Sequence, residues 1–415
     1  MTLPTPAPLF NPLVAAEPPR PDELWAGPFG LLAFLPLIPV VLLLARWRRR
    51  TALILGSLAW LLPTLRPATT VILLAGLAAG WGWLHLLTVL RRRGKLSERW
   101  MLTLVWVGLH ALAFPLWWHA HPGWYPSRLA ALHNVGFAYF LLRFVAWGVE
   151  LARNPRTANR FWDTVCWLLY PPCMRLGPVL LRGEFLTRLD AWDPRGSPAW
   201  KEGGKRLGLF LLGGISLGVI GARLLPTRGD FFAEPQNYTS AELLRLCYLI
   251  PVQIYLLLWT YNQLALTIGH WLGLPVDNNF CRLPLATSVR EFWRRWHITV
   301  GGWLRNYLYI PLGGSRRRAT LNTLLTFGYC GLWHGPSWSF LAWALAQAGA
   351  LLVQRAWDRV TARRLDTGEC SGRFQRGWTF VCWLLTMHFA IATILVFADF
   401  EHLGSRIAME LWRRL

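Results

Sequence analysis

Acidic residues are few in this 415-residue chain, which has 21 Asp and Glu against 43 Lys and Arg and a formal net charge of +22. Charge of either sign is thin at 15%, while 54% of residues are hydrophobic and mean hydropathy is +0.32. That balance excludes an ordinary soluble protein. The seven cysteines, at 166, 173, 247, 281, 330, 370 and 382, include no CxxC pair, which excludes a disulfide framework. The strand–turn–helix layout of a serine hydrolase finds no support. The His-x4-Asp motif of soluble-type glycerolipid acyltransferases is absent as well. Without a P-loop or a DxD pair, nucleotide-driven transport and metal-dependent glycosyl transfer are both weakened. No internal repeat and no soluble domain boundary are visible.

What the chain has in quantity is apolar runs, tryptophan and arginine. The 27 Trp suit long interfacial belts. The arginines fall in short clusters between apolar runs, such as Arg46-Trp47-Arg48-Arg49-Arg50 and Arg91-Arg92-Arg93. This is the positive-inside pattern and a surface for anionic headgroups, so membrane lipids are the expected partners and nucleic acid is not.

In chain order, residues 1–27 read as a Pro-rich tail and residues 28–128 as N-terminal transmembrane helices. Residues 129–399 read as a membrane core and 400–415 as a closing tail. Apolar runs begin at Phe29, Ala52, Thr69, Met101, Leu129, Phe161, Leu207, Leu243, Leu321, Phe340 and Thr379. Pro171-Pro172 and Gly177-Pro178 should interrupt the run from Phe161 to Leu181. Residues 182–206 read as a charged loop and 355–377 as a basic one. His119, His121 and His133 lie near one loop, where an HxH pair without acidic or thiol neighbours is more often just a loop than a metal site. The expected fold is one all-α, polytopic integral membrane protein of roughly nine to eleven spans and half-spans.

Residues 288–340 organise the rest. At helical spacing Trp293, Trp296, Val300, Trp303 and Tyr307 share one stripe, and Arg290, Arg294, His297, Gly301 and Arg305 share its neighbour. An interfacial amphipathic helix with a solvated basic face accounts for such a pattern. Gly301-Gly302 should kink the helix, and Pro311 with Gly313-Gly314 should end it. Farther on, an apolar run delivers His334 into Gly-Leu-Trp-His-Gly-Pro-Ser-Trp. A histidine at membrane depth is costly unless it has a partner or lines a wet cavity, and Gly335-Pro336 breaks the backbone directly after it. A satisfied His buried between two helices remains the plain alternative. Cys330, four residues upstream, shares a helix face with His334, but no further ligand cluster supports a metal site or a thiol nucleophile.

Three stretches together resemble the membrane-bound O-acyltransferase family, in its bacterial branch of alginate O-acetylation and teichoic acid D-alanylation proteins. They are Phe292-Trp293-Arg294-Arg295-Trp296-His297, Leu304 to Gly314, and Gly331-Leu332-Trp333-His334-Gly335 with Trp338. Weaker echoes lie at Leu176-Gly177-Pro178 with Arg182, Glu184 and Phe185, and at Leu285 to Ser288. The resemblance covers roughly Val135 to Gly349. It departs from the family pattern at Asn306, where Asp is usual, and in Tyr255 to Gln263, where two Asp are gone.

The resemblance implies a helical bundle with re-entrant half-helices around a central tunnel, with His334 catalytic and His297 supporting. Neutral imidazole is suited to take a proton from an acceptor hydroxyl near neutral pH. His297, or an amide freed near Gly335, would then face the developing oxyanion. Arg290, Arg294, Arg295, Arg305, Asn306, Trp296 and Trp333 are the candidate substrate-binding residues. The expected donor is an acyl-CoA or acyl-carrier thioester, and no bound cofactor or metal is expected. An acyl carrier protein and a periplasmic acyl-transfer protein are the expected partners, at a bacterial inner membrane. The acceptor is a hydroxyl of an exported polysaccharide or envelope glycan, with a lipid or hydrophobic alcohol as the alternative and a non-catalytic transporter or scaffold as the third reading.

Overall fold

The computed structural model describes residues 28–64, 67–118, 137–157, 159–174, 176–221, 234–365, 372–398 and 405–414. The expected Pro-rich tail and the loop histidines His119, His121 and His133 lie outside them. Among the described residues every regular element is helical. Two compact units emerge. One holds the described residues up to Ile215 with Leu258–Asn278, and the other holds Ser216–Leu257 with Asn279–Leu415.

In the first unit a 3-10 turn, Pro28–Leu37, leads into α1 (Ile38–Ala45), followed by α2 (Arg49–Thr64), α3 (Pro67–Arg92) and α4 (Glu98–Trp118). Next come α5 (Phe137–Arg153), α6 (Phe161–Leu168), α7 (Arg182–Ala191) and α8 (Trp200–Val219). The Pro-rich interruption falls where expected: α6 stops before Pro171-Pro172, which open a short 3-10 turn, Pro171–Cys173. The freed carbonyls at the end of α6 are bonded by the buried Arg143 of α5, whose guanidinium donates to Trp167 O and to Leu168 O (3.2 Å). Arg50 of α2 bonds Asp163 of α6 (2.5 Å) and Asp190 of α7 (2.7 Å), locking three elements together.

Residues 182–206, expected as a charged loop, instead form α7 and the start of α8. The correction has a local cause. Phe185 and Leu189 recur at helical spacing and are buried, so even this charged segment has an apolar face to dock.

The long α9 (Ser240–Leu272) runs through residues of both units. The second unit continues with α10 (Val289–Arg295), α11 (Ile298–Leu304) and a π-helical turn, Arg305–Tyr309. It is completed by α12 (Ala319–His334), α13 (Trp338–Leu365), α14 (Gly372–Ala398) and α15 (Ser405–Arg414). The expected basic loop 355–377 is mostly helix, since α13 runs on to Leu365 and α14 begins at Gly372. Arg290 explains part of this, pairing with Asp358 of α13 at 2.8 Å. The last segment, read as tail, contains α15, which is held by Arg414 donating to Tyr238 O (2.6 Å).

Among the described residues, three helices are long and apolar enough to cross a membrane: Thr70–Arg92, Ser240–Leu272 and Arg376–Ala398. They turn large apolar side chains outward, among them Val71, Leu244, Phe380 and Leu385. Helices can do this in lipid because their backbone groups are already paired within the segment. The fold is all-α and polytopic.

Candidate functional site

His334 is the last residue of α12. Gly335 follows with φ 149°, and its amide donates to Leu332 O at 3.1 Å, closing the final turn. The Gly335 N–H is therefore already used, which corrects the expectation of a freed amide at this break. The chain can reverse into α13 because α12 and α13 approach closely at Gly331. A Cβ there would sit 2.6 Å from Phe340 O and 2.8 Å from Ala344 Cβ.

The His334 ring is enclosed by aromatics from three elements. Trp333 lies at 4.6 Å, Phe340 at 5.7 Å, Trp343 at 5.6 Å and Phe397 at 4.9 Å between ring centroids. Phe397 comes from the end of α14, more than sixty residues downstream, and no local sequence signal announces it. Cys330 is buried on the same helix, and no group of three metal-ligating side chains occurs among the described residues.

His297 lies at a second break. The sequence pattern predicts one helix through it, kinked at Gly301-Gly302. Instead α10 ends at Arg295 and α11 starts at Ile298, with His297 itself left-handed at φ 43°, ψ 51°. The break thus falls one turn earlier than expected. Its ring packs against Phe280 (5.0 Å) and Trp296 (5.3 Å), and its Nδ1 is buried without a hydrogen-bond partner.

A continuous series of ring contacts joins the two histidines. From His297 it passes to Trp296, to Phe292 (5.7 Å), to Trp293 (6.0 Å), to Trp343 (5.9 Å) and on to His334. As whole residues His297 and His334 are of intermediate exposure, although Phe292, Trp296, Val300, Cys330, Phe340 and Trp343 around them are buried. One polar thread braces this wall. Trp293 Nε1 donates to Gln347 Oε1 at 3.1 Å, and Gln347 Nε2 donates to Thr393 Oγ1 at 2.9 Å. Gln347 and Thr393 escape a motif reading because each is a lone polar residue within an apolar stretch of its helix.

The candidate substrate-binding residues separate into two groups. Trp296 and Trp333 belong to the aromatic wall. Arg290 is paired with Asp358, and Arg295 with Glu291 while also donating to Arg282 O (2.9 Å). Arg294 and Arg305 are exposed; Arg294 makes no ion pair among the described residues, and Arg305 donates to Asn306 Oδ1 at 3.2 Å. Where the family pattern has Asp, Asn306 therefore keeps a neutral hydrogen bond to its neighbour. The Gly214–Gly218 segment has the spacing G-x-S-x-G but lies inside α8, so it forms no nucleophile elbow.

A sequence profile of the MBOAT, membrane-bound O-acyltransferase, family matches residues 95–398. The "Probable alginate O-acetylase AlgI" of Azotobacter vinelandii is 31% identical over 229 residues, covering 54% of this chain and 44% of that protein. A peptidoglycan O-acetyltransferase of Helicobacter pylori is 29% identical over 224 residues, covering 51% and 41%. A teichoic acid D-alanyltransferase of Streptococcus thermophilus is 21% identical over 241 residues, covering 55% and 58%. The chain thus spans about half the length of these relatives. With the profile matched over well more than half of its residues, and both histidine breaks inside the match, the chain belongs to the membrane-bound O-acyltransferase family.

Proposed function

We propose that this protein is an O-acyltransferase of a bacterial cytoplasmic membrane, moving an acyl group from a thioester donor to a hydroxyl of an exported or envelope glycan. The observation that carries the reading is the continuous aromatic wall in which His334 and His297 both stand, each at a helix break. The relatives' names support the acceptor class, since alginate, peptidoglycan and teichoic acid are all polymers of the envelope or outside it.

In this reading His334 takes the proton of the acceptor hydroxyl as its oxygen attacks the thioester carbonyl. The carbon–sulfur bond then breaks, and the imidazolium returns the proton to the departing thiolate, leaving an ester and a free thiol. His297 stabilises the oxyanion, a role its unpartnered ring nitrogen suits once substrate fills the site. The exposed Arg294 and Arg305 attract the phosphates of coenzyme A or of a carrier's pantetheine arm. A periplasmic partner that carries the acyl group onward belongs to the same reading.

The test is the ester-linked acyl content of envelope polysaccharide and lipid fractions from wild type, a deletion strain and a His334→Ala strain. Loss from polysaccharide in both mutants is the expected result. Loss from lipid alone would keep the chemistry and replace the acceptor. Full ester content in the His334→Ala strain would overturn the catalytic assignment.

A further inference from the structure

The break at His297 is unexplained by its own sequence. Neither Arg295, Trp296, His297 nor Ile298 is a helix breaker, and the 3.6-residue pattern runs straight through them. Left-handed backbone at a non-glycine residue is strained and persists only where the surroundings over-determine it. Among the described residues only Arg282, His297 and Arg318 have it, and none of the three is the Asn that tolerates it best.

What over-determines it is a separate segment, residues 279–282. Asn279 is completely buried. Its backbone carbonyl accepts from Ile298 N at 3.1 Å, and its side-chain Oδ1 accepts from Thr299 N at 3.0 Å and Thr299 Oγ1 at 2.7 Å. Two residues on, Cys281 N donates to Arg295 O at 3.1 Å, and Arg282 O accepts from Arg295 Nη1 at 2.9 Å. The chain is therefore pinned on both sides of His297. Asn279 does for α11 what an N-cap residue does for most helices, but from eighteen positions upstream, since His297 at the N-cap position makes no such side-chain bond.

We propose that Asn279 is the positioning residue for His297, turning its ring out of the basic stripe and into the aromatic wall. In an unbroken helix His297 lies on the stripe of Arg290, Arg294 and Arg305, which is the exposed side here, with Trp296, Val300 and Trp303 on the buried one. With the α11 amides taken by Asn279, the helix cannot continue, and the imidazole turns to Phe280 and Trp296 instead. Asn279 itself need touch no substrate.

As a statement about turnover the inference rests on the acyltransferase reading, so the test has one arm that depends on turnover and one that does not. Asn279→Ala keeps the backbone carbonyl and removes Oδ1, and Thr299→Val removes only the hydroxyl bond. In the turnover arm, Asn279→Ala should lower kcat on the order of 10²-fold with little change in KM for the donor, and Thr299→Val should lower it less. In a His297→Ala background Asn279→Ala should cost nothing further, because the two act as one unit. Equal losses in both backgrounds, or no loss in wild type, would overturn the proposal. In the second arm, carbethoxylation of each histidine by diethyl pyrocarbonate is followed by mass spectrometry. His297 should react about tenfold faster in Asn279→Ala, with His334 unchanged. An unchanged His297 rate would overturn the clamp whatever the protein transfers. Full activity of His297→Ala with a faster His297 rate in Asn279→Ala would instead overturn the role assigned to that histidine and leave the clamp standing.

Discussion

His334 ends its helix against a glycine, whereas His297 sits between two helices in a conformation that a glycine would adopt more easily. At the first break the geometry is local: Gly335 takes φ 149°, its amide closes the turn, and aromatic rings fill the space around the imidazole. At the second break the geometry is imposed from outside by the polar clamp of residues 279–282. Local breaks are readable from sequence because the residue that makes them stands in them. Imposed breaks are not, because the cause lies elsewhere in the chain. The contrast also assigns rigidity. The His334 ring is held by packing on four aromatic neighbours, the His297 ring by hydrogen bonds acting on the backbone to either side of it.

The largest effect should come from His334→Ala. Removing a general base costs roughly 10²–10⁴-fold in the transfer rate while the aromatic wall keeps the helices in place. Thermal unfolding in detergent should move little. His297→Ala should cost less, about 10²-fold, as expected of an electrostatic contribution without the proton transfer. Equal or greater loss in His297→Ala would mean the two roles are exchanged, and the comparison of the breaks would have to be read the other way round.

Next in size is Gly335→Ala. A Cβ would meet Phe340 Cε2 at 3.1 Å, at a φ that L residues rarely adopt. About 1–3 kcal/mol of stability should be lost through strain at the turn, together with displacement of the His334 ring. The measurement is the unfolding midpoint alongside the transfer rate. An unaltered midpoint would show that the α12–α13 turn relaxes freely and that packing, not the glycine, fixes His334. Gln347→Leu is smaller again. It deletes the bonds from Trp293 and to Thr393 with similar volume, leaving the Trp293 N–H at the wall without its acceptor at a cost of about 1–3 kcal/mol. A moderate fall in rate with both histidines present is expected, and a double mutant with Trp293→Phe should show less than additive loss.

How legible was this in the sequence? His334, its helix end and Gly335-Pro336 were readable because apolar run, histidine and breaker are consecutive. The Pro171-Pro172 interruption was readable for the same reason. Of the stripe Trp293, Trp296, Val300, Trp303 and Tyr307, all but the half-buried Trp293 are buried, even though the helix carrying it is broken. The position of that break was not readable, since Gly301-Gly302 is the stronger local signal and Asn279 acts through space. Residues 182–206 and 355–365 were misread because charge density was taken for loop. There the helices keep their charged faces paired, as Arg290 does with Asp358 and Arg206 with Glu202 (2.9 Å). Phe397 was out of reach of any motif, being one Phe among 21.

The smallest effect tests the entrance to the imposed break. α10 begins at the N-cap residue Ser288, with Glu291 reaching back over the start of the helix. Ser288 Oγ accepts from Glu291 N at 3.2 Å, and Glu291 Oε2 accepts from Thr287 N at 2.8 Å and Thr287 Oγ1 at 2.9 Å. The Thr287 amide, with help from Thr287 Oγ1 and Arg295, holds the Glu291 carboxyl below its ordinary range. A carboxyl with a depressed folded-state pKa stabilises the fold above its unfolded value, and that contribution drains away as pH falls through the folded one. Glu291→Gln should therefore lower the unfolding midpoint at neutral pH by the equivalent of about 1 kcal/mol. The gap to wild type should close as pH drops below about 4, where the unfolded carboxyl also takes up its proton. A gap that stays constant down to pH 3 would mean that Glu291 works by shape alone and that its charge does not hold α10 against the clamp. Transfer at neutral pH should change far less than in Asn279→Ala, because the cap at Glu291 secures the start of α10 while the clamp sets the direction of the ring two turns later.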